Sequence, residues 1–179
     1  MIINKTFLKK YSPLPVNYDL EEVLNYVPVA EKIWVIPIIG DDFYDELAEQ
    51  VKENELTAEN GTLLTDGGLW QFLSYATTLE ALPFVWSHVS QVGITLGKSE
   101  NSDSISLKDL TYVEAHLRRQ VETLKDQLIK YLDDHFESFP LYHPTNCQCD
   151  TCCKKRGNLN SPNPYYQLYK PIPKPTDIN

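Results

Sequence analysis

The chain has 179 residues, enough for one domain with a real core, and its hydrophobic fraction of 42% is ordinary for a globular protein. No run of about 18 or more apolar residues occurs, which excludes a membrane-spanning helix. The net charge of −9 is uneven: Lys154, Lys155, Arg156, Lys170 and Lys174 against Asp150 and Asp177 put residues 140–179 at +3, leaving residues 1–139 at −12. Such a body repels phosphate, so sequence-reading nucleic-acid binding is disfavoured. The start, MIINKTFLKKYSPLP, has no apolar h-region and no small-residue cleavage site. It reads as no signal peptide, and synthesis in a reducing cytosol is expected.

Residues 1–18 read as irregular, with two prolines in SPLP. Asp19 and Glu22 read as a helix start, followed by Leu20, Val23, Leu24 and Val27 at helical spacing. Pro28 ends that ladder and opens a second short helix, PVAEKIWV. VIPIIG reads as an interruption at Pro37 and Gly40. DDFYDELAEQVKEN predicts a clear helix, capped by Asp41 or Asp42, with Phe43, Leu47 and Val51 as its buried stripe. ENGTLLTDGG reads as loop, with turn signals at Asn60-Gly61 and Asp66-Gly67.

A longer helix starts at Leu69 and runs through LWQFLSYATTLEAL, with Pro83 expected to kink or split it. Its apolar pattern resumes at Val85, Trp86, Val89 and Val92. GKSENSDSIS, residues 97–106, reads as an exposed loop available for contacts. The longest helix comes after it. Leu107, Leu110, Val113, Leu117, Val121, Leu124, Leu128, Tyr131 and Leu132 form a seam over about four heptads, and about 30 residues span about 45 Å. That seam is expected to be the inner face of a helical bundle. The expected fold is therefore mainly α: a helical bundle with one long helix and a kinked partner helix over residues 1–142. An extended Pro/Tyr-rich C-terminal arm, residues 143–179, completes the chain. Six of the twelve prolines lie beyond Pro140, which rules out a packed helix or central strand there.

Candidate chemistry is sparse. Asp41, Asp42, Asp45 and Glu46 raise the thought of a metal-dependent nuclease, but all four sit near one helix N-terminus, where carboxylates are stabilised anyway. No second motif completes a two-metal site. His88, His116 and His135 fall on predicted helices without ligand spacing. No P-loop, G-x-S-x-G or H-E-x-x-H occurs, and the chain reads as no enzyme.

All four cysteines lie in CQCDTCC, residues 147–153. Cys149-x-x-Cys152 has the spacing of a ligand pair, and His143 and Cys147 lie just before it. Cys152 and Cys153 are adjacent, so both binding one ion would be strained. The most comfortable zinc set is His143, Cys147, Cys149 and Cys152, with Cys153 as an alternative ligand. A second pair at a distance is missing. Structural zinc, free thiols, and disulfide or redox use all stay open.

Several pieces in order, IWVIPIIGDDFYDELAEQV, SYATTLEALPFVWSHVSQVGITLGKSENSDS and the long helix ending LKDQLIKYL, resemble one family. It is that of the head–tail connector, or adaptor ring, proteins of tailed bacteriophages, nearest to the versions in phages of gut bacteria such as the crAss-like phages. The resemblance covers residues 15–142 and implies a structural virion protein at the head–tail junction, assembled in the host bacterial cytoplasm. It implies a homo-oligomeric ring, usually a dodecamer, bound to the portal protein and to the next tail or ring protein. DNA would pass through the channel without sequence-specific binding. An acidic body suits such a channel, and Trp34, Trp70, Trp86 and the tyrosines are expected to supply self-association area. The reading from another class is a soluble metal-binding interaction module, a zinc knuckle with a basic arm.

Overall fold

The most apolar stretch of the chain forms the helix at the centre of the fold. In this computed structural model, residues 1–143 are described except for 16, 17, 19, 91, 92 and 97–106. Met1–Pro144 forms one compact unit, separate from Thr145–Asn179. The Pro/Tyr-rich arm and the loop 97–106 lie outside the described residues. The first unit is mainly α, with helices α1 (Lys5–Tyr11), α2 (Glu21–Leu24), α3 (Val27–Ala30), α4 (Ile36–Ile39), α5 (Asp41–Glu53), α6 (Ala58–Thr65), α7 (Leu69–Trp86) and α8 (Leu107–Asp134).

Helix α7 packs against α1, α2, α3, α6 and α8. Leu69, Trp70, Phe72, Leu73, Ala76, Leu79 and Ala81 are buried, and so are Ser74, Thr77 and Thr78. Two of these three buried hydroxyls find partners along the helix, while that of Thr77 has none among the described residues. Ser74 donates to the Trp70 carbonyl at 2.7 Å and Thr78 to that of Ser74 at 2.9 Å. Pro83 removes one backbone donor, yet the helix neither ends nor divides there and continues to Trp86.

Helix α8 is the 28-residue long helix that the seam predicts. Leu117, Val121, Leu128 and Leu132 are buried in the common core, and Leu110, Leu124 and Tyr131 are half-buried, whereas Val113, read as part of the seam, is 45% exposed. Gly67, just before α7, sits against Tyr131 near the end of α8, so the two helices run antiparallel. A Cβ at Gly67 would come 2.7 Å from the Leu63 carbonyl oxygen and 2.9 Å from the Tyr131 ring. Gly67→Ala is expected to cost about 1–3 kcal/mol, because a backbone oxygen must move to make room. A urea titration of the variant measures it; an unshifted midpoint would show that this turn yields.

Several expectations are corrected. Within residues 1–18, Lys5–Tyr11 is helical rather than irregular. Asn4 caps α1, its side chain accepting from the Phe7 amide at 3.1 Å, and Ile2, Ile3 and Leu8 are buried. The helix after Pro15 starts at Glu21 with no side-chain cap, and Asp19 lies outside the described residues. VIPIIG interrupts only at Gly40, not at Pro37. A π-helical turn, Glu31–Val35, joins α3 to α4, and the Ile36 amide reaches back to the Glu31 carbonyl. That slip of the ladder falls one residue before Pro37, which has no amide to donate. Gly40, at φ 86°, then breaks the run and serves as the cap residue of α5. Neither Asp41 nor Asp42 is that cap; both lie in the first turn of α5.

The stretch read as loop, ENGTLLTDGG, is helix α6 up to Thr65. Thr57 accepts from the Asn60 amide at 3.2 Å, and Leu63 and Leu64 are buried. The turn signal at Asp66-Gly67 stands. Past Trp86 the helical pattern does not resume. Ser87–Ser90 and Gly93–Leu96 form an antiparallel hairpin, β1 and β2, pairing Val89 with Ile94. Val89, Ile94 and Thr95 are β-branched and favour extended backbone, and Gly93 weakens a helix there.

Candidate interaction surface

Helix α5 keeps Phe43 and Leu47 buried, with Val51 half-buried, as its stripe predicts. Its outer face presents Asp41, Asp42, Asp45, Glu49 and Glu53, with Lys52 as the only base on the helix. Glu46 turns the other way. Its Oε1 accepts from Asn60 Nδ2 at 3.1 Å and from Gln50 Nε2 at 2.9 Å, and Asn60 also donates to Gln50 Oε1 at 2.9 Å. This network holds the Asn-Gly pair in a helix rather than a turn.

A second polar cluster lies where the π turn meets the start of the chain. Glu31 is 2% exposed. Its Oε1 accepts from the Ile2 amide at 2.6 Å and its Oε2 from the Tyr44 hydroxyl at 2.8 Å, and the amino group lies 4.0 Å away. A buried carboxylate needs such partners. Three residues on, Trp34 Nε1 donates to Glu80 at 2.9 Å. Burial first, then the hydrogen bond to Glu31 and the charges of Glu31 and Asp45, push the Tyr44 phenol well above its ordinary value. Burial and the charge of Asp66 push Tyr131 up as well.

A phenol held neutral in the fold but free to ionise in the unfolded chain stabilises the fold fully below its unfolded pKa near 10. That contribution fades as pH rises from there toward the folded value. Stability is therefore expected to fall above about pH 10, and Tyr44→Phe to flatten part of that fall. Thermal melts of both proteins between pH 8 and 11 check it; parallel curves would contradict it.

Beside the Glu31 cluster, Met1, Asp45, Ala48, Glu49 and Lys52 line an open concavity of about 580 Å³. The opposite end of the body exposes apolar side chains. Phe84, near the end of α7, is 55% exposed and stacks on Tyr26 with ring centres 5.3 Å apart; Tyr112, near the start of α8, is 76% exposed, with Val113 beside it. From there Tyr112, His116, Arg119, Thr123, Gln127 and Lys130 recur at three- and four-residue steps on the exposed side of α8, opposite its buried seam.

The residues singled out in the sequence fall as follows. Trp34 and Trp70 are core residues and offer no area for self-association; among the described residues the exposed aromatics are Phe84, Tyr112 and Phe136. His88 is on β1 rather than a helix, His116 is exposed on α8, and His135 lies just beyond α8, stacked on Tyr131 at 4.4 Å. Asp41, Asp42, Asp45 and Glu46 do not converge: among the described residues, no group of three or more His, Cys, Asp or Glu side chains is placed to hold a metal ion. Cys147, Cys149, Cys152 and Cys153 lie outside the described residues. His143 is half-buried, directly after Tyr142, whose hydroxyl donates to Asp133 at 2.7 Å. Among the described residues no helix is long and apolar enough to cross a membrane.

The described residues define a mainly helical protein. The chain belongs to a family of unknown function, DUF6712, whose model matches residues 35–152. That span takes in α4 to α8 and continues as far as Cys152. No curated protein and no solved structure matches the chain.

Proposed function

We propose that this protein is a structural subunit of a homo-oligomeric ring that connects the portal of a tailed-phage head to the tail and extends the DNA channel. The observation that carries the reading is the surface. An acidic body repels the DNA that must slide past it, while Tyr112, Val113 and Phe84 stand exposed around the end of a long helix. The order of the helical segments and their resemblance to connector proteins support the same reading. The ring, usually a dodecamer, binds the portal above and the next tail protein below, and it acts in the virion without catalysis.

Negative-stain images of the purified chain mixed with portal protein of the same phage test this. Rings seated on portals are expected. A chain that stays monomeric and never binds portal would overturn the reading.

The second reading, a zinc-knuckle interaction module, draws on the place of His143 at the edge of the packed body, just ahead of Cys147, Cys149 and Cys152. In that reading the ion staples the start of the arm where no core orders it. Elemental analysis for zinc, with Cys149→Ser as control, decides it: stoichiometric metal lost in the variant supports the knuckle, and metal-free protein removes it.

A further inference from the structure

The Tyr112 end of the exposed α8 stripe lies far from α5 on one body. Helix α5 is beside the C-terminal end of α8: Phe43 is 5.7 Å from Phe139, which is 6.5 Å from Tyr131. Tyr112 precedes Tyr131 by nineteen residues of continuous helix, about 28 Å along the axis. One copy's Tyr112 therefore cannot reach its own α5 groove.

The two surfaces are complementary. The α8 stripe offers an aromatic side chain with His116 and Arg119 on the following turns. The α5 face offers a concavity lined by Met1, Ala48, the carboxylates of Asp45 and Glu49, and Lys52; with Asp41, Asp42 and Glu53 alongside, the face stays acidic despite that lysine. Aromatic and arginine side chains are the usual anchors of protein interfaces, and a recess is where they act best.

We infer that the occupant of the α5 groove is a second copy of this chain, which seats Tyr112 and the turns behind it against Asp45, Ala48 and Glu49. The contact is heterologous: each copy gives its α8 stripe to one neighbour and its α5 groove to the other. Such contacts close into rings when the rotation permits, and otherwise propagate as filaments. The inference rests on the ring reading and names the faces that meet. Opposite charges steer the encounter and set the register, so assembly weakens as salt screens them.

The experiment uses the full chain with Arg119→Glu, Glu49→Arg, both together, and Tyr112→Ala, followed by sedimentation velocity and electron microscopy. All three positions are on the surface, and far-UV circular dichroism confirms that each variant folds. Each single change is expected to weaken association about tenfold or more, while the double reversal restores it, since the two charges have exchanged places. Wild-type rings with unaffected single variants, or a double variant that fails to recover, would overturn this contact and leave the ring reading intact. A wild-type chain that forms no assembly, alone at millimolar concentration or on portal, overturns both.

Discussion

Trp70→Ala is expected to cost about 3–5 kcal/mol, the largest loss from any single side chain outside the inner core. Trp70 is 6% exposed. Its ring stacks on Phe7 with centres 3.7 Å apart and lies 6.2 Å from Tyr11, and its Nε1 donates to the Ile2 carbonyl at 2.8 Å. One side chain thus ties the extended start of the chain and the whole of α1 to the central helix. Truncation removes the ring contacts and leaves a buried carbonyl without its donor. Against a total stability of about 5–15 kcal/mol for an ordinary domain, that loss is large. Urea denaturation measures it, and hydrogen exchange should show residues 2–11 losing protection ahead of α7. Trp70→Phe separates the two contributions: it keeps an aromatic ring and loses only the donor, at about 1 kcal/mol. Equal losses in both variants would mean that stacking contributes little.

Glu31→Ala is expected to cost about 3 kcal/mol. Two donors, the buried Ile2 amide and the half-buried Tyr44 hydroxyl, lose their acceptor, together at about 3 kcal/mol. Glu31→Gln keeps one acceptor oxygen and the side-chain volume, so it should cost clearly less. The double variant Glu31→Ala with Tyr44→Phe tests the pairing directly. Removing both partners should cost less than the sum of the single changes, because no orphaned hydroxyl remains. Strict additivity in thermal or urea unfolding would show that the two side chains do not act together. The expected losses at Trp70 and Glu31 converge on Ile2, whose amide and carbonyl are held by side chains from the π turn and from α7.

The surfaces assigned to assembly are partly visible in the residues themselves. The acidic face of α5 can be read from DDFYDELAEQV, because helical spacing puts Asp41, Asp45 and Glu49 on one side and Phe43 and Leu47 on the other. The exposed stripe of α8 follows in the same way as the complement of its seam. The tryptophans are not legible in this manner. A large aromatic side chain is a candidate for either a core or an interface, and spacing alone does not separate the two. Trp70 is buried because Phe7 and Tyr11 arrive from α1, and the short N-terminal segment shows no sign of being a helix.

Residue order by itself determined the mainly α class, the positions of α5, α7 and α8, the seam along α8, and the acidic body. Those features depend on local periodicity and on charge, which long segments display without knowing their neighbours. Only the tertiary structure decided the rest. Helix α6 exists because Glu46 and Gln50 hold Asn60 and because Leu63 and Leu64 find the core. The π turn exists where a buried Glu31 meets Ile2 and Tyr44 ahead of Pro37. The hairpin after Trp86 replaces a helix because β-branched residues and Gly93 favour pairing once an antiparallel partner is at hand. The separation of Tyr112 from the α5 groove, on which the assembly contact depends, is likewise a matter of packing: it arises because α8 runs antiparallel to α7 and ends beside Phe43.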